Sequence, residues 1–344
     1  MSRKKPACDK HPTQLTGISY FAARLHKQVS LKILFLNTNT VDYSQDILYA
    51  GLRKRTDISL YELPFNVKYH LPLKKYPRNL GYQYGSLLKS FFQSIPWKEL
   101  HAVVIGGCNP QVLELYKELL PKLPQHTRLI LVDGGDWHEV GGDFYRAGGK
   151  QVYDDFLKEH RFDLVFKREM VLNADYPDNV VPFPFGFNLQ RVPKSLTQNK
   201  KYDVSFWAVQ SSPIRTVALQ LLEDQFDCKA NGTVVNQEFG KYKRKGTYYL
   251  RELAACKIVI NIRGVGWDTL RYWETPALGT FLISQPPHIH IPDNFIDRED
   301  IVFCRHDLSD LVDLCEHYLR KEEERERIAR KAEQRLRAYH SEDS

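Results

Sequence analysis

No two cysteines of this 344-residue chain stand in a CxxC spacing; Cys8, Cys108, Cys228, Cys256, Cys304 and Cys315 are scattered singly. A zinc knuckle needs clustered ligands and is excluded, and the expectation is reduced thiols in a cytoplasmic setting. No apolar run reaches the about 18 residues that a membrane span requires. The basic opening MSRKKPACDKHPTQLTG has no apolar stretch behind it, so it does not read as a secretory signal. Fixed-period repeats are absent, which sets aside solenoids and propellers. What is present is an ordinary globular balance, 42% hydrophobic and 26% charged, which excludes collagen-like and wholly disordered chains. At roughly 150 residues per domain, the length suggests two domains. The net charge of +7 fits a protein that handles anions. Nucleotide diphosphates, nucleic acid and anionic membrane surfaces all qualify.

Short apolar runs alternate with longer amphipathic stretches. LKILFL (Leu31 to Leu36), HAVVIGG (His101 to Gly107), RLILVD (Arg128 to Asp133) and FDLVFK (Phe162 to Lys167) read as buried strands. A helix from Pro110 to Leu120, capped by Asn109, lies between two of them. Strands alternating with helices imply a parallel sheet covered on both faces, the doubly wound pattern. The proline- and glycine-bearing VVPFPFGFN (Val180 to Asn188) is the expected boundary. Beyond it the same alternation resumes. Strands are expected at Asp203 to Val209, near Asp227, at Lys257 to Ile262, Thr280 to Ser284 and Ile301 to Arg305. Helices are expected near Ile214 to Glu223, at Tyr248 to Ala255, near Thr269 to Leu278, and twice at the end. The last helix, Lys321 to Tyr339, places Ile328, Ala332, Leu336 and Tyr339 on one stripe. The expectation is an α/β protein of two facing Rossmann-like domains: an extension over 1–30, a first domain over 31–188 and a second over 189–344, its last helix packing back on the first. Such folds bind ligands at the carboxyl ends of their strands.

Chemistry-bearing residues concentrate in three places. NIRGVGWDTLRYWETPALGTFLIS (Asn261 to Ser284) runs from a strand through a turn with Gly264 and Gly266 into a helix that Asp268 could cap. Such a turn aims backbone N–H groups and a positive helix end at an anion, and Arg263 and Arg271 add charge suited to phosphate. Glu274, one turn past Arg271, could accept from a ribose diol; the alternative is a surface ion pair. The second place is LVDGGDWHEVGGDFYRAGG (Leu131 to Gly149), where Asp133, Asp136 and His138 are candidates for a base that takes an acceptor hydroxyl's proton. Its carboxylates with the histidine could instead hold a divalent cation, or the stretch could be a plain turn. The third is FKRE (Phe166 to Glu169), offering Lys167 and Arg168 to the same cleft or forming an ordinary strand end. His288 and His290 in PPHIHIPD read as a proline-rich loop rather than a metal site. The aromatic stretch from Tyr61 to Tyr84 carries no assignment.

RYWETPALGTFLIS resembles the R-x-[FW]-E-x-x-A-x-G stretch in the second domain of two-domain nucleotide-sugar glycosyltransferases, the GT-B architecture. The likeness is greatest to group 1 glycosyltransferases of the spore-maturation-protein-like type. YDVSFWAVQSSPIR, YYLRELAACKIVINI and the closing strand, helix and helix extend it from about Val181 to His340. The resemblance implies that Glu274 binds the donor ribose, that Arg271 contacts the diphosphate or orders its loop, and that Arg215 meets the phosphates. It further implies that Gly264 and Gly266 admit the backbone to them. Gly266 stands where many relatives carry a first carboxylate of a Glu-x7-Glu pair, and Pro276 implies a short or kinked helix. The function implied is sugar transfer from a nucleoside-diphosphate sugar, as co-substrate, to a glycan, lipid-linked or protein acceptor. No metal and no separate cofactor are expected, and peripheral membrane contact stays open. A non-catalytic nucleotide-sugar or glycan-binding protein is the alternative; nucleic-acid binding stands behind both, without a basic-aromatic motif.

Overall fold

The computed structural model describes residues 30–38, 43–66, 91–196, 199–208, 211–226 and 248–344. The strand expected near Asp227, nearly all of the 1–30 extension and most of the Tyr61 to Tyr84 stretch lie outside these residues. Two parallel sheets organise the rest. The first takes β1 (Leu31–Leu36), β2 (Ile58–Leu63), β3 (Ala102–Ile105), β4 (Arg128–Asp133), β5 (Leu164–Lys167) and β6 (Val180–Pro182), in the order β2-β1-β3-β4-β5-β6. The second takes β7 (Tyr202–Ser205), β8 (Cys256–Asn261), β9 (Phe281–Ser284) and β10 (Val302–Phe303), in the order β10-β9-β8-β7. All four buried runs read as strands are strands. The structure adds β2, and β6 occupies the start of the stretch expected to be a boundary.

Alternation along each strand explains the double winding. Ile33 and Phe35 face α1 (Tyr43–Lys54), packing on Leu48, Tyr49 and Leu52. Leu34 and Leu36 face the other way, toward Val112 and Leu113 of α2 (Pro110–Leu119). Phe156 of α4 (Lys150–Glu159) joins that side, next to α3 (Gly142–Arg146). Asn109 caps α2 as expected, its side chain accepting from Gln111 N at 3.0 Å. In the second sheet, Ile258 and Ile260 pack on α5 (Pro213–Leu222) and α8 (Leu311–Arg320). Val259 faces α6 (Tyr248–Ala254), α7 (Leu270–Ala277) and α9 (Glu322–Tyr339).

Two local expectations are corrected. The buried stripe on α9 comprises Ile328, Ala332 and Leu336, and Tyr339, its last residue, is half exposed. The helix ends at Tyr339, and the chain leaves helical geometry at His340 (φ −134°), whose side chain is buried instead. Asp268 does not cap α7; Thr269 holds that position without a side-chain cap bond. Pro276 lies inside α7, which is short at 8 residues. The end of α9 returns to the first sheet's helices, where Lys54 pairs with Glu342 and Asp343 at 2.8 and 2.6 Å. Phe187 N donates to the His340 carbonyl at 2.9 Å.

Candidate active site

Two guanidinium groups meet at the carboxyl end of β8. Arg215, in the first turn of α5, donates twice to the Ile262 carbonyl, at 3.2 and 3.0 Å, and once to Ser211 Oγ at 2.9 Å. Arg271, in the first turn of α7, donates to the Ile260 carbonyl at 3.1 Å. Both are buried, and the partial positive ends of two helices lie beside them. Desolvation, then the charge of Arg271, pulls the Arg215 guanidinium down to about 9. Arg271 Nε is buried with no hydrogen-bond partner among the described residues. Tyr249 of α6 joins the pair to Glu274: its hydroxyl donates to Glu274 Oε2 at 3.1 Å and is itself hydrogen-bonded to Arg271. Burial foremost, then the Glu274 charge, pushes the Tyr249 phenol far up. Arg271 and Glu274 are 8% and 2% exposed, so the surface ion-pair alternative is excluded.

The glycine turn after β8 does something other than expected. Trp267 N and Asp268 N both donate to the carboxylate of Glu169, each at 2.9 Å, and Glu169 comes from the end of β5 in the first sheet. Gly264 N donates to the Gly266 carbonyl at 3.0 Å. A Cβ on Gly264 would lie 3.2 Å from Arg215 Nη2, while one on Gly266 would collide with Glu169 Oε1 and stand 2.7 Å from its Cδ. The anion that closes on this turn is therefore the protein's own carboxylate. Asp268 accepts from Phe185 N at 2.6 Å and from Trp273 Nε1 at 2.7 Å. Burial foremost raises its carboxyl to about 7, against the nearby Arg168 charge, which lowers it. Arg263 places its guanidinium 4.4 Å from the Trp267 ring centroid.

The Gly/Asp-rich stretch does sit at the carboxyl end of β4, and its residues divide sharply. Asp133 and Lys167 form an ion pair at 3.1 Å with both side chains fully buried. Asp133 also accepts from Gly141 N at 2.7 Å, and Lys167 donates to the Trp137 carbonyl at 2.5 Å. Arg168 donates to the Gly135 carbonyl at 3.2 Å and pairs with Asp136. Its guanidinium lies 4.3 Å from the Phe185 ring centroid. Lys167 and Arg168, expected to face the cleft, are instead buried and committed to this loop. His138 is half exposed, with Nε2 3.2 Å from Glu139 Oε1, and Tyr176 Oη donates to its carbonyl at 3.0 Å. His288 and His290 lie on a loop that docks on the chain after β5, His290 N donating to the Met170 carbonyl at 2.7 Å. Among the described residues, no group of three or more His, Cys, Asp or Glu side chains is placed to hold a metal ion. No helix among them is long and apolar enough to cross a membrane.

Sequence reasoning missed Glu169 and Tyr249. Both were in view, Glu169 closing FKRE and Tyr249 standing second in YYLREL, but no spacing links either to its partner.

Solved structures with the same arrangement identify the architecture. An Anabaena protein, HepE, solved with UDP-glucose, aligns with a TM-score of 0.55 at 9% identity over 91% of this chain and 96% of its own. Sucrose-phosphate synthase from Thermosynechococcus elongatus aligns at 0.53 with 10% identity, over 90% and 95% of the two chains. A glycosyltransferase from Rickettsia africae aligns at 0.52 with 11% identity, over 91% and 95%. The fold is GT-B. A glycosyl transferase-like family model matches residues 215–344, the part of this GT-B chain that holds Arg215, Arg271 and Glu274. No curated protein matches the sequence.

Proposed function

We propose that the protein is a glycosyltransferase that takes a nucleoside-diphosphate sugar as donor and seats its diphosphate against Arg215 and Arg271. The observation that carries this is the pair of buried guanidinium groups at two helix starts, one repelling the other and one with an orphaned Nε. Two like charges held together in low dielectric are stabilised by an anion between them. Glu274, fixed by Tyr249, lies beside them to accept from the ribose hydroxyls. The matching family model and the UDP-glucose bound to HepE support the donor class. The finer likeness to spore-maturation-protein-like group 1 glycosyltransferases rests on the sequence stretches alone.

Transfer builds negative charge on the leaving diphosphate as the anomeric carbon becomes electron-poor. The arginines and helix ends stabilise that charge without reorganising, so no divalent metal is required. His138 is the base: it is exposed and oriented by Glu139, whereas Asp133 is sealed inside an ion pair and Asp136 is held by Arg168. Titration calorimetry with UDP and UDP-glucose tests the reading. Arg215→Ala and Arg271→Ala should each weaken UDP binding about tenfold or more, the cost of losing a charged hydrogen bond. Donor turnover should persist in excess chelator. Unchanged UDP affinity in both variants would refute the site. UDP-glucose binding without hydrolysis or transfer would mark a non-catalytic binding protein instead.

A further inference from the structure

Glu169 is a deeply buried charged group that the proposed reaction leaves unused. It is 2% exposed, and its two oxygens accept from consecutive backbone N–H groups about a hundred residues further along the chain. Gly266 has no side chain at the one point where a Cβ would strike that carboxylate. A Cβ there would also come within 3.1 Å of Asp136 Oδ1, so the loop after β4 reaches the same spot. Arg168 links the two, paired with Asp136 and 3.6 Å from Glu169 Oε1. The chain just after Glu169 is fastened as well: Met170 O accepts from His290 N at 2.7 Å, and Leu172 N donates to His288 O at 3.3 Å.

We propose that Glu169 is a positioning residue that couples the two sheets' loops into one site. Its carboxylate holds the 263–268 turn in the shape from which α7 presents Arg271 and Glu274, and through Arg168 it ties that turn to the loop carrying His138. The N–H groups that a glycine turn ordinarily offers to a phosphate are here spent on this coupling. The phosphate-facing role falls to the arginines. Substrate does not touch Glu169; it acts through the turn. The part of this that concerns donor binding rests on the reading of the arginine pair as a diphosphate site.

Hydrogen exchange on the full chain tests the coupling without any ligand. In Glu169→Ala, the amides of 263–269 should exchange at least tenfold faster, and so should those of 134–139, which lose their link through Arg168. Glu169→Gln, which keeps one acceptor oxygen, should fall between the two and guards against a variant that fails to fold. Gly266→Ala should loosen the same two stretches by pushing Glu169 out. Gly266→Ala combined with Glu169→Ala should be no worse than Glu169→Ala alone, because the collision with the Glu169 carboxylate is gone and Asp136 Oδ1 at 3.1 Å needs to give by only a few tenths of an ångström. UDP affinity should fall about tenfold in Glu169→Ala. Unchanged exchange at 263–269, or additive effects of the two substitutions, overturns the coupling. If the wild-type chain does not bind UDP, the donor reading fails, while the exchange result still decides the role of Glu169.

Discussion

Two buried titratable side chains, Asp268 and His340, set how this protein responds to pH, and a buried ion pair sets a strong response to substitution. Asp268 has its carboxyl raised to about 7 by burial, so the folded state keeps a proton that the unfolded chain releases near 4. Its contribution to stability is complete at low pH and is lost as pH rises through the interval up to about 7. His340 behaves oppositely. Burial lowers it to about 4, its ring packed 4.8 Å from Trp273 and its Nε2 3.1 Å from the Asp293 carbonyl. The unfolded chain therefore takes up a proton near 6.5 that the folded one refuses, and this contribution disappears as pH falls from about 6.5 toward 4. Urea melts between pH 4.5 and 7.5 separate the two. Asp268→Asn should gain stability relative to wild type as pH rises, and His340→Gln should gain relative to wild type as pH falls; parallel curves would contradict both assignments. The Lys167 and Asp133 pair gives a larger effect. Lys167→Met strands a buried carboxylate and should cost about 3–5 kcal/mol, while the added change Asp133→Asn should recover part of it. Chemical denaturation measures both. At this scale the sequence was half legible. Arg271 and Glu274 stood out beside the glycine turn, with a surface ion pair as the alternative, and Arg215 was marked only by the family resemblance. That Asp133 would be sealed and His138 open was not readable, because both sit in one glycine-rich run and burial is decided by β5 beside it.

At the level of elements, what packs from both sides was easiest to read. β1, β3, β4 and β5 are continuous apolar runs because helices cover each face; a face open to water would have put polar residues at every second position. β2 escaped because ISLYEL is a half-exposed edge strand whose Ser59 and Glu62 break the run. β6 escaped because Pro182, with Pro184 just beyond it, suggests a linker, although an edge position tolerates a missing donor. The glycine turn was recognised as an anion seat, but its anion arrives from another sheet, and local spacing cannot report that. The corrected stripe on α9 makes a direct prediction. Leu336→Ala should destabilise by about 2–5 kcal/mol, as a fully buried leucine does. Tyr339→Ala, on an exposed side chain, should stay within about 0.5 kcal/mol of wild type. Equal losses in the two melts would restore Tyr339 to the core.

Across the whole molecule, the two sheets are bound by polar contacts at both ends of the connection between them. On one side, Glu169 and Met170 meet the turn after β8 and the loop after β9. On the other, α9 finishes against α1, where Glu342 accepts from Lys54 Nζ at 2.8 Å and from Leu189 N at 2.7 Å. The alternation of strands and helices announced two units; how firmly they are joined depends on contacts far apart in the chain. Because these contacts do not run through the chain between 192 and 196, continuity of the backbone there is dispensable to them. A protein nicked there by limited proteolysis should elute as a single particle of unchanged size. Its two fragments should part only when denaturant is added, so reassembly from separately made halves would give a switchable form of the same site.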